Sequence, residues 1–195
     1  MPLILPKPGL YELEEKRSKF IGYCASITSE EDARHEIDAI RAKHAKANHN
    51  VFVFSLKENF VRISDDGEPS GTAAMPILNV FQKTGVINYL CVVTRYFGGT
   101  LLGAGGLVRA YSKAAKGAME AAEPEELIIK TMYKVTCEYN KFDQVKYNFD
   151  KLGIPILNAE FTTNCTLIVE VTEAQEPSFR DGKIYEFACS EATLK

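Results

Sequence analysis

Short β-rich runs alternate with helical periodicities along this chain, and the alternation sets the expected elements. Residues 18–27 (SKFIGYCASI) are rich in aromatic and β-branched side chains and predict a strand. Ser29 then precedes Glu30, Glu31 and Asp32, as an N-cap precedes carboxylates at the positive end of a helix dipole. Ala33, Ile37, Ile40 and His44 follow at helical spacing, so this helix should lay one face on a core, with His44 on that face. Residues 51–54 and 60–63 predict two strands, with Lys57-Glu58-Asn59 as their hairpin turn. A polar loop spans 64–71. Pro76 suits the first turn of a helix running to about Thr84, with Gly85 past its end. Residues 86–97 read as one long buried strand, and 107–122 as an Ala-rich helix.

The acidic stretch 120–126, broken by Pro124, is the expected boundary, and beyond it the pattern restarts. Residues 127–137 predict a strand. Phe142, Val145, Phe149 and Leu152 mark one face of a helix closed by Gly153. Strands at 156–161 and 166–171 follow, then a helix at 177–187 interrupted by Gly182, then a strand at 189–194. The order β-α-β-β-α-β is that of the ferredoxin-like split βαβ arrangement. The expectation is an α+β protein of two domains, 1–125 and 126–195, with no internal repeat.

Composition narrows the class without naming a function. A chain of 195 residues, 46% hydrophobic and 25% charged, has the make-up of globular domains and excludes fibrous or disordered proteins. A net charge of −3 opposes wholesale electrostatic capture of nucleic acid but permits a local basic patch. The amino-terminal apolar residues are broken by Pro2, Pro6 and Pro8, and no later run has the length of a membrane span. A cytoplasmic location and no membrane contact are expected. Cys24, Cys91, Cys137, Cys165 and Cys189 lie far apart with no C-x-x-C pair, so free thiols are expected and no zinc site.

The strongest local signal lies between Arg95 and Tyr111. Gly98, Gly99, Gly103, Gly105 and Gly106 put five glycines within nine residues, between a buried strand and a helix. Such a loop lets the backbone approach another molecule and aims free N–H groups outward at a helix start. Arg95 and Arg109 flank it with guanidinium forks suited to phosphate. It is neither a Walker A loop nor G-x-G-x-x-G, and a tight packing turn explains it equally. Asp65, Asp66 and Glu68 put three carboxylates in four residues, which suits a divalent cation or, more commonly, a self-bonded turn. No metal and no cofactor are expected. His44 and His49, with Lys43 and Lys46, form a small basic edge. No nucleophile stands beside a base in sequence: Ser70 and Thr72 carry hydroxyls and His49 an imidazole, but only folding could juxtapose them, so no catalytic residue is assigned.

The run 95–106, together with Ser64-Asp65-Asp66-Gly67-Glu68-Pro69-Ser70-Gly71-Thr72-Ala73, resembles the signature of the IMPACT family, its bacterial YigZ-like members in particular. Ser18-Lys19-Phe20 and Ala47-Asn48-His49 fit the same pattern, while members commonly have Gly where this chain has Ala74. The resemblance implies a first domain similar to the second domain of a small-subunit ribosomal protein and to domain IV of elongation factor G. It implies a smaller second domain similar to that factor's ferredoxin-like domains. Eukaryotic relatives regulate translation initiation by competing for an activator of a starvation-responsive kinase, through an additional domain. The expected function is therefore a translation-associated regulator that contacts RNA or the ribosome without catalysis. In that reading Arg95, Arg109 and Lys113 hold phosphate, the glycine loop permits close approach, and Tyr96 or Phe97 stacks a base or belongs to the core. Two alternatives stand beside it. One is a metal-dependent enzyme acting on a phosphorylated substrate. The other is a binding module that offers Asp65, Asp66, Glu68, Ser70 and Thr72 to a regulatory protein.

Overall fold

The structure, a computed structural model, describes residues 2–56, 60–181 and 185–194. Two compact units divide the chain, Met1–Glu126 and Leu127–Lys195. In the first, strands β2 (Gly9–Glu15), β3 (Ser18–Ser26), β4 (His49–Leu56), β5 (Phe60–Ser64) and β6 (Tyr89–Tyr96) form an antiparallel sheet in the order β2-β3-β6-β4-β5. A two-residue strand β1 (Leu3–Ile4) pairs with β7 (Glu125–Glu126). The expected hairpin turn at 57–59 lies outside the described residues.

Helix α1 (Glu30–Lys43) covers one sheet face, and α2 (Ala74–Thr84) and α3 (Ala104–Ala121) cover the other. Strand alternation divides the side chains between them. Val51, Val53, Cys91 and Val93 join the core beneath α2 and α3, while Phe54, Leu90 and Val92 join Ala33 and Ile37 of α1. Because β6 is covered on both faces, it reads as a continuous apolar run rather than an alternating one. Ser29 accepts a hydrogen bond from the Asp32 N–H and caps α1 as its sequence predicts. Helix α3 meets the sheet at backbone distance: a Cβ on Gly22 would fall 2.4 Å from the Ala114 carbonyl oxygen.

Strand β2 carries no strong signal in sequence. It is an edge strand whose inward residues, Tyr11 and Leu13, alternate with exposed glutamates after three prolines. Helix α3 begins at Ala104, three positions earlier than its apolar periodicity indicates, because its first turn is exposed. The acidic stretch is not a free linker. Helix α3 continues to Ala121, and Glu125 and Glu126 are tied into β7.

The second unit contains β8 (Ile129–Cys137), α4 (Phe142–Leu152), β9 (Ile156–Phe161), β10 (Cys165–Thr172), α5 (Glu176–Arg180) and β11 (Glu186–Leu194). Its antiparallel sheet runs β11-β8-β10-β9, with Val145, Phe149 and Phe179 packed among Tyr133, Val135, Leu167 and Val169. Helix α5 has five residues, far fewer than expected, and residues 186 and 187 belong to β11 instead. Gly182 lies outside the described residues.

Cys24, Cys91, Cys137 and Cys165 are free and buried. Burial pushes the Cys24 thiol up to about 12. No helix among the described residues is long and apolar enough to cross a membrane.

The β1–β7 pairing makes a specific expectation. A fragment of residues 1–126 should melt cooperatively, and one ending at 122 should lose roughly 1–2 kcal/mol with the strand hydrogen bonds. Chemical denaturation of both fragments measures the difference.

Candidate functional site

The polar segment after β5 spends its carboxylates on structure, each in a different direction. The N-cap of helix α2 is Ala73, which has no capping side chain. Asp65 supplies the cap from outside: its carboxylate accepts from the N–H groups of Gly71 at 3.0 Å, Ala73 at 3.3 Å and Ala74 at 2.8 Å. Ala74, the departure from the family pattern, is fully buried at the helix start without a positive φ. Asp66 sits at φ 45° and accepts from Asn50 N–H at 2.6 Å. Its carbonyl accepts from His49 Nδ1 at 2.8 Å. Thr72 is buried and donates its hydroxyl to the Pro69 carbonyl at 2.6 Å. Among the five loop residues expected to face a partner, only Ser70 is exposed; Asp65 and Asp66 are half-buried, and Glu68 and Thr72 turn inward. Among the described residues, no three His, Cys, Asp or Glu side chains converge as metal ligands would.

Glu68 points into the core, where it meets Arg95. Antiparallel register places Phe20 and His49 on either side of Arg95, on strands β3 and β4 flanking β6. The Arg95 side chain is only 6% exposed, and its Nη1 donates to Glu68 Oε1 at 2.6 Å. The Tyr111 hydroxyl from α3 donates to the same oxygen at 2.7 Å, and His49 Nε2 stands 3.8 Å from it. Burial first, then the bond to Glu68, raises the Tyr111 phenol far above its ordinary range, so it remains a donor. The guanidinium lies near both the Phe20 ring, at 5.4 Å, and the Phe97 ring, at 5.5 Å. Its Nε–H is buried and has no acceptor among the described residues. The expectation of Arg95 as an exposed phosphate fork is thus corrected. Glu68 draws it inward, because an unpaired guanidinium at this depth would carry a large desolvation penalty.

Tyr96 is also committed within the protein. Its hydroxyl shares a 2.9 Å hydrogen bond with Nδ1 of His44, which forms the C-terminal cap of α1. Phe97 is 43% exposed, and its N–H donates to Asn48 Oδ1 at 2.8 Å. The glycines that follow serve different ends. A Cβ at Gly98 would fall 2.0 Å from the Arg17 carbonyl oxygen, and Gly99 and Gly103 adopt φ 82° and 73°. A Cβ at Gly106 would press to 3.0 Å on Leu102, whereas one at Gly105 would meet only the Arg109 Nη1, at 3.6 Å. Arg109, Lys113 and Lys116 stand exposed at helical spacing on α3. Arg109 and Lys113 line a groove with Lys16 and Glu15 from the β2–β3 turn.

On the other side of the loop, a cleft of about 450 Å³ opens above the buried pair. Phe97, Leu101, Leu102, Leu107 and Pro69 wall it; His49, Glu68 and Arg95 form its polar floor, and Gly103 and Ala104 bring the start of α3 to its edge. Reading the sequence by motif does not assemble this floor. His49 lies 19 residues from Glu68 and 46 from Arg95 (68 − 49 and 95 − 49); strand register reunites it with Arg95, and the fold of the loop after β5 brings in Glu68. The useful signal was Tyr111, a polar aromatic on the apolar face of an Ala-rich helix, where a buried hydroxyl needs a partner.

Comparisons with known proteins cover both units. The Impact N-terminal domain matches residues 16–119, and a domain of unknown function, DUF1949, matches residues 135–181. An IMPACT family member of Haemophilus influenzae is 35% identical over 184 residues, which are 90% of this chain and 88% of that protein. The IMPACT family member YigZ of Escherichia coli is 30% identical over 190 residues, 95% of this chain and 93% of its own. A crystal structure of a hypothetical protein superimposes with a TM-score of 0.61 at 29% identity, covering 97% of each chain.

Two expectations follow from the buried contacts. Arg95→Gln strands the Glu68 carboxylate and should cost about 3–5 kcal/mol. The double variant with Glu68→Gln should recover part of that loss, as a double-mutant cycle by urea denaturation will show. Asp65→Ala leaves the amides of Gly71, Ala73 and Ala74 unpaired at the start of α2. It should destabilise by about 1–3 kcal/mol, read from the same denaturation curves.

Proposed function

The chain belongs to the IMPACT family, and from that premise we propose that it acts in the regulation of translation by contacting RNA or the ribosome. The observation that carries this reading is the exposed cationic stripe of α3. Arg109, Lys113 and Lys116 line one helix face beside Lys16, on a chain whose net charge is −3. Against a negative background, such clustering is the footprint of a polyanionic partner. Phe97 and Leu101, which are 43% and 82% exposed, offer apolar surface across the glycine loop from the stripe for an unstacked base. Arg109 and Lys113 keep the phosphate role, and Lys116 and Lys16 take the place that Arg95 leaves.

Family membership supports the translational part of the reading, through the resemblance to relatives that regulate initiation. The RNA part rests on the likeness that the family resemblance implies, of the first unit to a ribosomal-protein domain and to domain IV of elongation factor G and of the second to that factor's ferredoxin-like domains. The cytoplasm is the compartment this role assigns. A metal-dependent enzyme on a phosphorylated substrate is less well supported, since Asp65, Asp66 and Glu68 each serve a separate hydrogen-bond network. A protein-binding role for the 64–72 loop has only Ser70 exposed among its expected contacts.

Salt dependence tests the proposal. Each phosphate neutralised on a single strand contributes a slope of about 0.7 in log K against log salt. Arg109→Gln with Lys113→Gln should flatten that slope by about 1.4 and weaken oligoribonucleotide binding with little regard to sequence. Both side chains are exposed, so the melting temperature should hold. Binding and ribosome co-sedimentation unchanged in the folded double variant would remove this face from the contact.

A further inference from the structure

We propose that the tip of the β2–β3 hairpin, Lys16-Arg17, is a second cationic wall that grips a single RNA strand by its phosphates against α3. It rests on the reading of α3 as an RNA face, and adds to it the opposing wall and the form of the RNA. Strand register pairs Glu15 with Ser18, so Lys16 and Arg17 are the whole turn. Two-residue hairpin turns of the favoured type I′ need positive φ at both central positions, which is why Asn-Gly prevails there. Here the φ values are 48° and 66°, on two long side chains for which that backbone is strained. The glycine loop holds the turn in place. The Gly98 N–H donates to Ser18 Oγ at 3.2 Å, and a Cβ on Gly98 would fall 2.0 Å from the Arg17 carbonyl oxygen. Neither contact involves the charged end of a side chain, so packing asks for no cation at 16 or 17. Two exposed cations stand where less strained residues would fold the turn better, and such a mismatch points to a ligand.

Charge identifies that ligand. A groove of about 260 Å³ runs between the turn and α3, lined by Lys16 from one side and by Arg109 and Lys113 from the other, with Glu15 as the one carboxylate in its lining. Lys16, Arg17, Arg109 and Lys113 form no ion pair among the described residues, whereas Lys7, Lys19 and Lys116 of the same unit are each paired with a glutamate. Four unneutralised cations around one groove attract a polyanion. No aromatic, amide or hydroxyl side chain lines the groove, so it reads no base edge and holds the backbone instead. Cations on two facing walls converge on the phosphates of one strand. A duplex, wide and convex, would rest on the outer cations alone. A basic groove that tracks the backbone, beside a surface on which bases stack, is the physical form of a single-strand binder. Phe97 and Leu101, across the glycine loop, supply that surface.

Lys16→Asn with Arg17→Gly installs the favoured turn residues and removes both charges. In the full chain this variant should keep or raise the melting temperature, while affinity for an unstructured oligouridine falls. Its slope of log K against log salt should flatten by about 1.4, two phosphates at about 0.7 each. Lys16→Gln with Arg17→Gln removes the charges and keeps the strained turn; it should flatten the slope equally at wild-type stability. The wild-type protein should bind oligouridine more tightly than an RNA duplex of equal phosphate number. Fluorescence anisotropy over a salt series reads the slopes, and calorimetry reads the melting. Unchanged slopes in both hairpin variants, with binding weakened in Arg109→Gln, Lys113→Gln, would overturn this inference alone and leave α3 as the RNA face. A duplex bound as tightly as the single strand, or a melting temperature lowered by Asn-Gly, would overturn it too. A wild-type protein that binds neither RNA would remove the reading of α3 and this inference with it.

Discussion

A single carboxylate oxygen, Glu68 Oε1, joins three parts of the first unit. Arg95 from the central strand β6, Tyr111 from α3 and the loop that carries Glu68 itself converge on it, with His49 of β4 close by. Charges at such depth usually give little net stability, because lost hydration offsets their attraction. Their effect is conditional: each is tolerable only while the others are present. Loop, sheet and helix are thereby bound to one arrangement, and the loop cannot lift away without exposing an uncompensated charge to the core. The Asp65 cap on α2 and the Asp66 contacts to β4 hold the same loop at two further points.

This arrangement divides the arginines and lysines of the 95–116 segment by role. Arg95 is turned inward by its partner, whereas Arg109, Lys113 and Lys116 remain in solvent on the far side of the glycine loop. The loop is where these two environments meet. Its glycines answer different demands: close approach to Arg17 at Gly98, left-handed backbone at Gly99 and Gly103, and a bare helix start at Gly105. A cluster that looks like one motif in sequence is several local solutions in space.

Elements with strong periodicity or clear capping were legible in the chain: α1 with Ser29, α2 closed by Gly85, the buried β6, and α4 closed by Gly153. Elements whose signal depends on partners were not. Strand β2 is half polar and gains its order from β3 and α3, so its glutamates concealed it. The helix expected at 177–187 gives way to the shorter α5, and Glu186 and Phe187 pair with β8 instead. At the site, the residue types were visible but their orientation was not. Whether Arg95 faces solvent or Glu68 depends on register between β6 and its neighbours and on the fold of a loop 27 residues away (95 − 68). Local sequence carries no information about that pairing.

The pairing of Leu3–Ile4 with Glu125–Glu126 has a topological meaning as well as an energetic one. It brings the two ends of the first unit side by side, so that this unit is nearly a closed ring of chain. Units of that kind are readily transplanted into a surface loop of another protein or reopened at a new point, because neither operation separates contacts that the interior relies on. The same closure means that a sequence appended to either end emerges from one corner of the unit. Modules can thus be exchanged at that corner while the glycine loop, the cleft and the cationic helix face keep their mutual geometry.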